Sequence, residues 1–175
     1  MLSDDMPIQR GVVVTRRPIL TAIKAVVFDF DGVFTDDRVI VSDSGEESVI
    51  CSRSDGLAIG MLKAAGYPMI IISKETNPVV SVRARKLSID VIQGCDRKLP
   101  ALVNWLSSQL IAAENCAFMG NDINDLECML HVGLAVAPSD AHKSVLDIAN
   151  FITTRRGGQG AIREFADSLL SLNAT

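Results

Sequence analysis

The sequence predicts an α/β fold: a parallel sheet with helices on both faces and one small β-hairpin beside it. From Ile23 to Leu170, short apolar runs alternate with segments of helical spacing. The runs are apolar throughout rather than at every second position, as strands covered on both faces must be. The 175 residues, 48% apolar and 22% charged, suit one domain of roughly 100–200 residues with a core that needs no metal or disulfide staple.

Residues 1–20 are polar and irregular, broken by Pro7 and Arg16-Arg17-Pro18, and are expected to form a loose N-terminal arm; residues 21–175 form the single domain. Ile23–Phe30, β-branched and apolar around Lys24, is the first strand. Residues 35–53 are polar, with β-rich pieces at Arg38–Val41 and Ser48–Cys51 around Ser42-Asp43-Ser44-Gly45, the pattern of a hairpin. Leu57, Met61, Leu62 and Ala65 share a helical face that Gly66 ends, and Pro68–Ile72 is a short strand. Asn77 caps a helix with Pro78 in its first turn and Val80, Ala84 and Leu87 on its face. Val91-Ile92 is a brief strand, and Leu99, Val103, Leu106 and Leu110 step at helical spacing. Cys116–Met119, Gly133–Val136 and Phe151–Thr153 are further strands. Ile123, Leu126 and Leu130 mark a helix between the first two, and Ile162, Phe165, Ala166 and Leu169 mark the last helix.

Seventeen Lys and Arg against 21 Asp and Glu give a net charge of −4. That balance argues against nucleic acid and anionic membranes as partners, which are bound by clustered basic surface. No apolar run approaches the ~18 residues of a membrane span, and Asp4 and Asp5 sit where a signal peptide would be apolar, so a cytoplasmic location is expected. Cys51, Cys95, Cys116 and Cys128 lack C-x-x-C spacing and only His131 and His142 accompany them, which excludes a zinc framework and leaves the cysteines as small hydrophobes. His131 fits a helix end.

In parallel sheets, sites form at the carboxyl ends of the strands. The first strand ends in Asp29-Phe30-Asp31-Gly32, two carboxylates at i and i+2 that point the same way, followed by a glycine that permits a sharp turn. Ser73 follows the next strand and can offer a hydroxyl and a backbone N–H to an anion. Lys98 stands at a helix start, where its charge opposes the helix dipole, so a second role such as holding an anion is expected. Gly120-Asn121-Asp122-Ile123-Asn124-Asp125 brings Asp122 and Asp125 to the same edge, as caps or as site acids.

Asp-x-Asp, Ser, Lys and an acidic Gly-Asn-Asp-x-Asn-Asp, at four successive strand ends, resemble the haloacid dehalogenase (HAD) superfamily of phosphotransferases across Ile23 to Leu170. Within it the chain is similar to capless phosphatases of the 3-deoxy-octulosonate 8-phosphate type and to the phosphatase-like C-terminal domain of acylneuraminate cytidylyltransferases. The matching pieces are Asp31–Asp36, Ser54–Ile59, Gln93-Gly94 with Lys98, Gly120–Asp125, Val132-Gly133, Pro138–Ala141 and the glycine-rich Gly157–Glu164. The resemblance implies a Rossmann-like, HAD-like sheet without a cap domain. It also implies a magnesium-dependent phosphomonoester hydrolase acting through an aspartyl-phosphate on a phosphorylated keto-sugar acid, an octulosonate 8-phosphate or a nonulosonate (sialic-acid-type) 9-phosphate. Asp29 would attack phosphorus, and Asp31 would protonate the leaving oxygen and then take a proton from water. Ser73 and Lys98 would grip the phosphoryl oxygens. Magnesium would be held by Asp29, the carbonyl of Asp31 and the side chain after Gly120. That side chain is Asn121 where most relatives have Asp, so either Asn121 or the adjacent Asp122 supplies the third ligand, with Asp125 in support.

The chemistry needs all these parts. A carboxylate approaching a phosphate is a like-charge encounter costing about 4 kcal/mol per unit pair at 4 Å with an effective dielectric of 20, so a divalent cation and a lysine are requirements. Asp29 raises the pKa of Asp31 toward the protonated form that an acid needs, and a metal opposes it. Two other classes compete: an idle module that only oligomerises a sugar-activating enzyme, and a phospho-receiver signalling domain, which has no use for an acid two residues past Asp29. Finally, 41 residues lie between Asp31 and Ser73 and 24 between Ser73 and Lys98, too few for a cap. Cover for the site is therefore expected from elsewhere, through the 35–53 hairpin pairing with other copies and through Arg156 or Arg163 of a neighbour's glycine-rich stretch meeting the substrate carboxylate. The resemblance to capless relatives implies a homotetramer.

Overall fold

A computed structural model describes residues 17–173. Its helices are α1 Arg17–Ala22, α2 Arg53–Ala64, α3 Val79–Leu87, α4 Lys98–Ser108, α5 Leu126–His131, α6 Lys143–Leu146 and α7 Ala161–Asn173. Its strands are β1 Ala25–Phe28, β2 Ile40–Val41, β3 Glu47–Ser48, β4 Met69–Ile72, β5 Asp90–Ile92, β6 Cys116–Met119, β7 Leu134–Ala137 and β8 Phe151–Ile152. Six strands form one sheet in the order β5-β4-β1-β6-β7-β8, every neighbouring pair parallel, while β2 and β3 form the antiparallel hairpin. The chain builds outward from β1 through β4 and β5, then crosses to β6, β7 and β8. The order therefore reverses beside β1, the switch point where such sheets bind ligands.

Because successive strand side chains face opposite ways, Val26, Phe28, Ile71 and Met119 pack with α2, α3 and α7, while Val27, Ile70, Ile72 and Phe118 pack with α4, α5 and α6. Helices thus cover both faces of the sheet, and β1, β4, β6 and β7 are buried along their whole length. No helix among the described residues is long and apolar enough to cross a membrane.

The expected arm, 1–20, lies outside the described residues as far as residue 16. Residues 17–20 open α1, whose Leu20 is fully buried in the α7-side core. The hairpin is shorter than expected, with one further bridge between Thr35 and Cys51. Leu57, Val103, Ile123, Leu130 and Leu110, all assigned to apolar stripes by spacing, are exposed. The four cysteines are free.

Candidate active site

The turn after β1 is pinned by its apolar residues and aims its acids outward. Phe30, Val33 and Phe34 are fully buried, and Phe34 meets Phe28 edge-on at 5.5 Å and stacks on Phe30 at 5.8 Å between ring centroids. Gly32 takes φ +73°, the left-handed region that favours glycine. The Thr35 hydroxyl, fully buried, accepts from the N–H groups of Gly32 and Asp37 at 3.2 Å each and ties the turn closed. Asp29 and Asp31 line one cavity of about 410 Å³ together with Ser73, Lys74, Glu75, Thr76, Asn121 and Asp122. Five of the expected strand-end residues, Asp29 and Asp31 after β1, Ser73 after β4, and Asn121 and Asp122 after β6, thus converge on a single opening.

Lys98 does not line that cavity. It opens α4 almost fully buried, with its ammonium 2.7 Å from Asp29 Oδ1 and 2.7 Å from Asp125 Oδ1. Asp29 Oδ1 also accepts from the Phe30 N–H at 2.7 Å. Burial and the charge of Asp125 push the Asp29 pKa up against the pull of Lys98, because one ammonium cannot neutralise two buried carboxylates. Burial opposes the charge of Lys98, but the two carboxylates outweigh it and hold its pKa above the ordinary value. Asp31, half-buried, is pushed up to about 6 by burial and by the charges of Glu75 and Asp37.

Asp125, fully buried, accepts from the N–H groups of Asn121 at 3.0 Å and Asp122 at 3.3 Å through Oδ2, so it shapes the loop after β6 from beneath. Asp122 turns its carboxylate to the N–H of Ile123 at 2.7 Å, capping the short 3-10 turn there. The Asn121 side chain instead lies directly over Gly32, where any Cβ would collide with its amide. Among the described residues no three His, Cys, Asp or Glu side chains gather as a metal cluster. A set of one carboxylate, one backbone carbonyl and one amide oxygen still supplies the hard oxygen donors that magnesium takes, with waters completing its octahedron. Asp29, Asp31 and Asn121 line one cavity, and the donor types they offer there fit the ion.

Ser73 is buried, its hydroxyl accepting from the Glu75 N–H at 3.1 Å, which leaves its own proton to give. Gln93, quoted from sequence without a role, bonds the Ser81 hydroxyl and donates to the Thr76 carbonyl at 3.0 Å, locking the Ser73 loop to the loop that leads to Lys98. Arg156 lines a second cavity of about 400 Å³ with Gly32, Arg38 and Asp140; Asp37 and Asn121 border both cavities. It pairs with Asp140 at 3.1 Å. Arg163 pairs with Asp167 at 2.9 Å and borders a different cavity, away from Asp29 in its own chain. The roles of Thr35 and Asp37 were missed from sequence, although both lie within or beside the Asp31–Asp36 motif.

Residues 69–164 match the family model of haloacid dehalogenase-like hydrolases. The 3-deoxy-D-manno-octulosonate 8-phosphate phosphatase of Escherichia coli K12 is 35% identical over 149 residues, 85% of this chain and 79% of the relative. Among solved structures, a Streptomyces avermitilis protein provisionally named a HAD family hydrolase is 48% identical, with a TM-score of 0.86 over 94% of this chain and 93% of that one. The Moraxella catarrhalis octulosonate phosphatase, solved with a magnesium ion, a phosphate ion and a KDO molecule, is 31% identical, with a TM-score of 0.86 over 89% of this chain and 90% of that one. With the parallel sheet and the acids at its switch point, these matches place the chain in the haloacid dehalogenase-like hydrolases, as a phosphatase of the 3-deoxy-D-manno-octulosonate 8-phosphate phosphatase family.

Proposed function

We propose that the chain hydrolyses the phosphate monoester of a 3-deoxy keto-sugar acid of the octulosonate 8-phosphate class, through an aspartyl-phosphate on Asp29. The observation that carries this reading is the pairing of Asp29, bound to Lys98, with Asp31, whose pKa of about 6 suits a proton donor near neutrality, in one cavity. The substrate class rests on the octulosonate 8-phosphate phosphatases to which the chain is similar.

A carboxylate oxygen of Asp29 attacks phosphorus in line, and the bond from phosphorus to the sugar oxygen breaks. Asp31 gives its proton to that departing oxygen, and the sugar acid leaves as the free alcohol. Asp31, now a carboxylate, takes a proton from a water that attacks the aspartyl-phosphate. The phosphorus–Asp29 bond breaks, inorganic phosphate leaves, and both acids are restored. The Ser73 hydroxyl donates a hydrogen bond to a phosphoryl oxygen. Lys98 keeps Asp29 oriented from beneath the cavity, with its ammonium on both Asp29 and Asp125. When bound, magnesium would be held by Asp29, the Asp31 carbonyl and Asn121 and would supply positive charge to offset the like-charge encounter.

A phospho-receiver would leave Asp31 without a task, and an idle oligomerisation module would have no reason to bury Lys98 between two carboxylates. The test is turnover with magnesium on octulosonate 8-phosphate, nonulosonate 9-phosphate and plain hexose phosphates. The octulosonate ester is expected to give the highest kcat/KM; preference for a hexose phosphate overturns the substrate class. Asp29→Asn should fold normally and fall below about 1% of wild-type turnover, and substantial residual activity would overturn the nucleophile.

A further inference from the structure

Two backbone segments with no side chain between them meet beside the Asp31 turn. A Cβ at Gly157 would overlap the carbonyl oxygen of Gly32, and one at Gly158 would collide with the backbone of Thr35 and Asp36. The Gly158 N–H donates to the Val33 carbonyl at 3.0 Å. Three carboxylates from three parts of the chain hold the glycine-rich loop there. Glu164 in α7 accepts from the N–H groups of Thr154 and Arg155 at 2.9 Å each. Asp140, after β7, accepts from the Gly157 N–H at 2.9 Å. Asp55 in α2 accepts from the Gly160 N–H at 3.1 Å and the Arg163 N–H at 2.9 Å.

Asp55 is the telling member. It is fully buried, and it caps not its own helix, which Ser52 caps, but the start of α7, more than a hundred positions away. A buried carboxylate is costly unless its oxygens are bonded. Here the free N–H groups and positive end of α7 take the place of a cation. The bonds join Asp55 to the last turn of the glycine-rich loop, and that loop bears on the catalytic turn.

We infer that Asp55 is a positioning residue: by fixing the start of α7 it seats Gly157-Gly158 against Gly32–Thr35 and so holds Asp31 where its proton reaches the leaving oxygen. This rests on the reading of Asp31 as the acid. Gly157 lacks a positive φ, so alanine suits its backbone and Gly157→Ala acts by lifting the loop from the turn.

The readout is kcat/KM, which covers steps up to phosphoryl transfer, on two magnesium-loaded assays. p-Nitrophenyl phosphate releases a stable phenolate that needs little protonation; glycerol 1-phosphate releases an alkoxide that needs it. Asp31→Asn, the reference, should lose roughly a hundredfold or more on the alkyl ester and far less on the aryl ester. Asp55→Asn and Gly157→Ala should show the same split, with folding verified by circular dichroism. If Asp31→Asn splits the substrates while Gly157→Ala loses both equally or neither, the positioning role is overturned and the acid assignment stands. If Asp31→Asn gives no split, the acid assignment fails and the inference falls with it. Should Asp55→Asn not fold, Gly157→Ala decides alone.

Discussion

Lys98 offers one positive charge to two buried carboxylates, Asp29 and Asp125, so the pocket carries an excess of negative charge that only protons or cations can relieve. This sets how the metal-free protein responds to pH. The Asp31 pKa rises from the ordinary 3.8 to about 6, so between those values the folded state binds more protons than the unfolded one. Stability must then fall as pH rises through about 4 to 6, and the loss persists above it. Asp29, raised as well, extends the fall in the same direction. Thermal melts of metal-free protein from pH 4.5 to 7.5 should show a declining Tm, with a shallower decline in Asp31→Asn; an unchanged slope would show that Asp31 titrates normally. The same excess charge bears on the third metal ligand. Asn121→Asp adds a carboxylate over Gly32 and should tighten magnesium binding by roughly tenfold in calorimetric titration. Asp122→Asn should change affinity less, because that carboxylate already serves the Ile123 N–H. The reverse ranking would move the ligand to Asp122.

At the scale of elements, the alternation of strands and helices was legible because a fully covered strand and a capped helix leave strong local patterns. Asn77 caps α3 as its sequence suggests, accepting from the Val79 N–H at 3.0 Å, and α7 buries all four expected residues. The inward faces of α4 and α5 were legible only in part: Leu99, Leu106 and Leu126 pack into the core as expected. Leu102, Trp105, Cys128 and Met129 are covered while Val103 and Leu130 face out, and Lys98 and Asp125 pair in the same layer. An ion pair between residues 27 positions apart leaves no periodic trace. For the site, Asp29, Asp31, Ser73 and Asn121 could be listed from strand ends, whereas Thr35 and Asp55 act through backbone N–H groups that only the folded chain brings to them. The glycine-rich loop also carries a prediction of its own. Arg156 reaches the cavity beside Asn121 and its side chain is 64% exposed, free to exchange Asp140 for a substrate carboxylate. Arg156→Ala should raise KM for the sugar-acid phosphate by roughly tenfold or more and leave p-nitrophenyl phosphate nearly unaffected. Equal effects on both would deny it a part in recognition. A point variant is needed because removing the chain after Thr154 also removes Ile162, Phe165, Ala166 and Leu169 from the core.

For the whole molecule the open question is what covers the site. Only the hairpin, α2 and β4 lie between Asp31 and Ser73, and only α3 and β5 between Ser73 and Lys98. Phosphoryl transfer benefits from excluding water, so an open cavity at the sheet edge invites a lid from outside the chain. The hairpin is poorly suited to remain in water: Val39, Ile40, Val41 and Ile50 are each more than half exposed, and β2 and β3 pair only with each other, leaving free edges. A second copy of the chain satisfies both needs, since hairpins that associate would bury the apolar strip and bring neighbouring subunits near each opening. We propose the homotetramer that the resemblance to capless phosphatases implies. Light scattering at assay concentration should give roughly four times the 18.8 kDa chain mass. Ile40→Lys, which places a charge on the strip away from Asp29 and Asp31, should shift the protein toward monomer and raise KM for the sugar-acid phosphate, with the chain fold intact by circular dichroism. A wild-type monomer with full activity would refute the assembly. A monomeric Ile40→Lys variant with unchanged KM would show that subunits associate without covering the site.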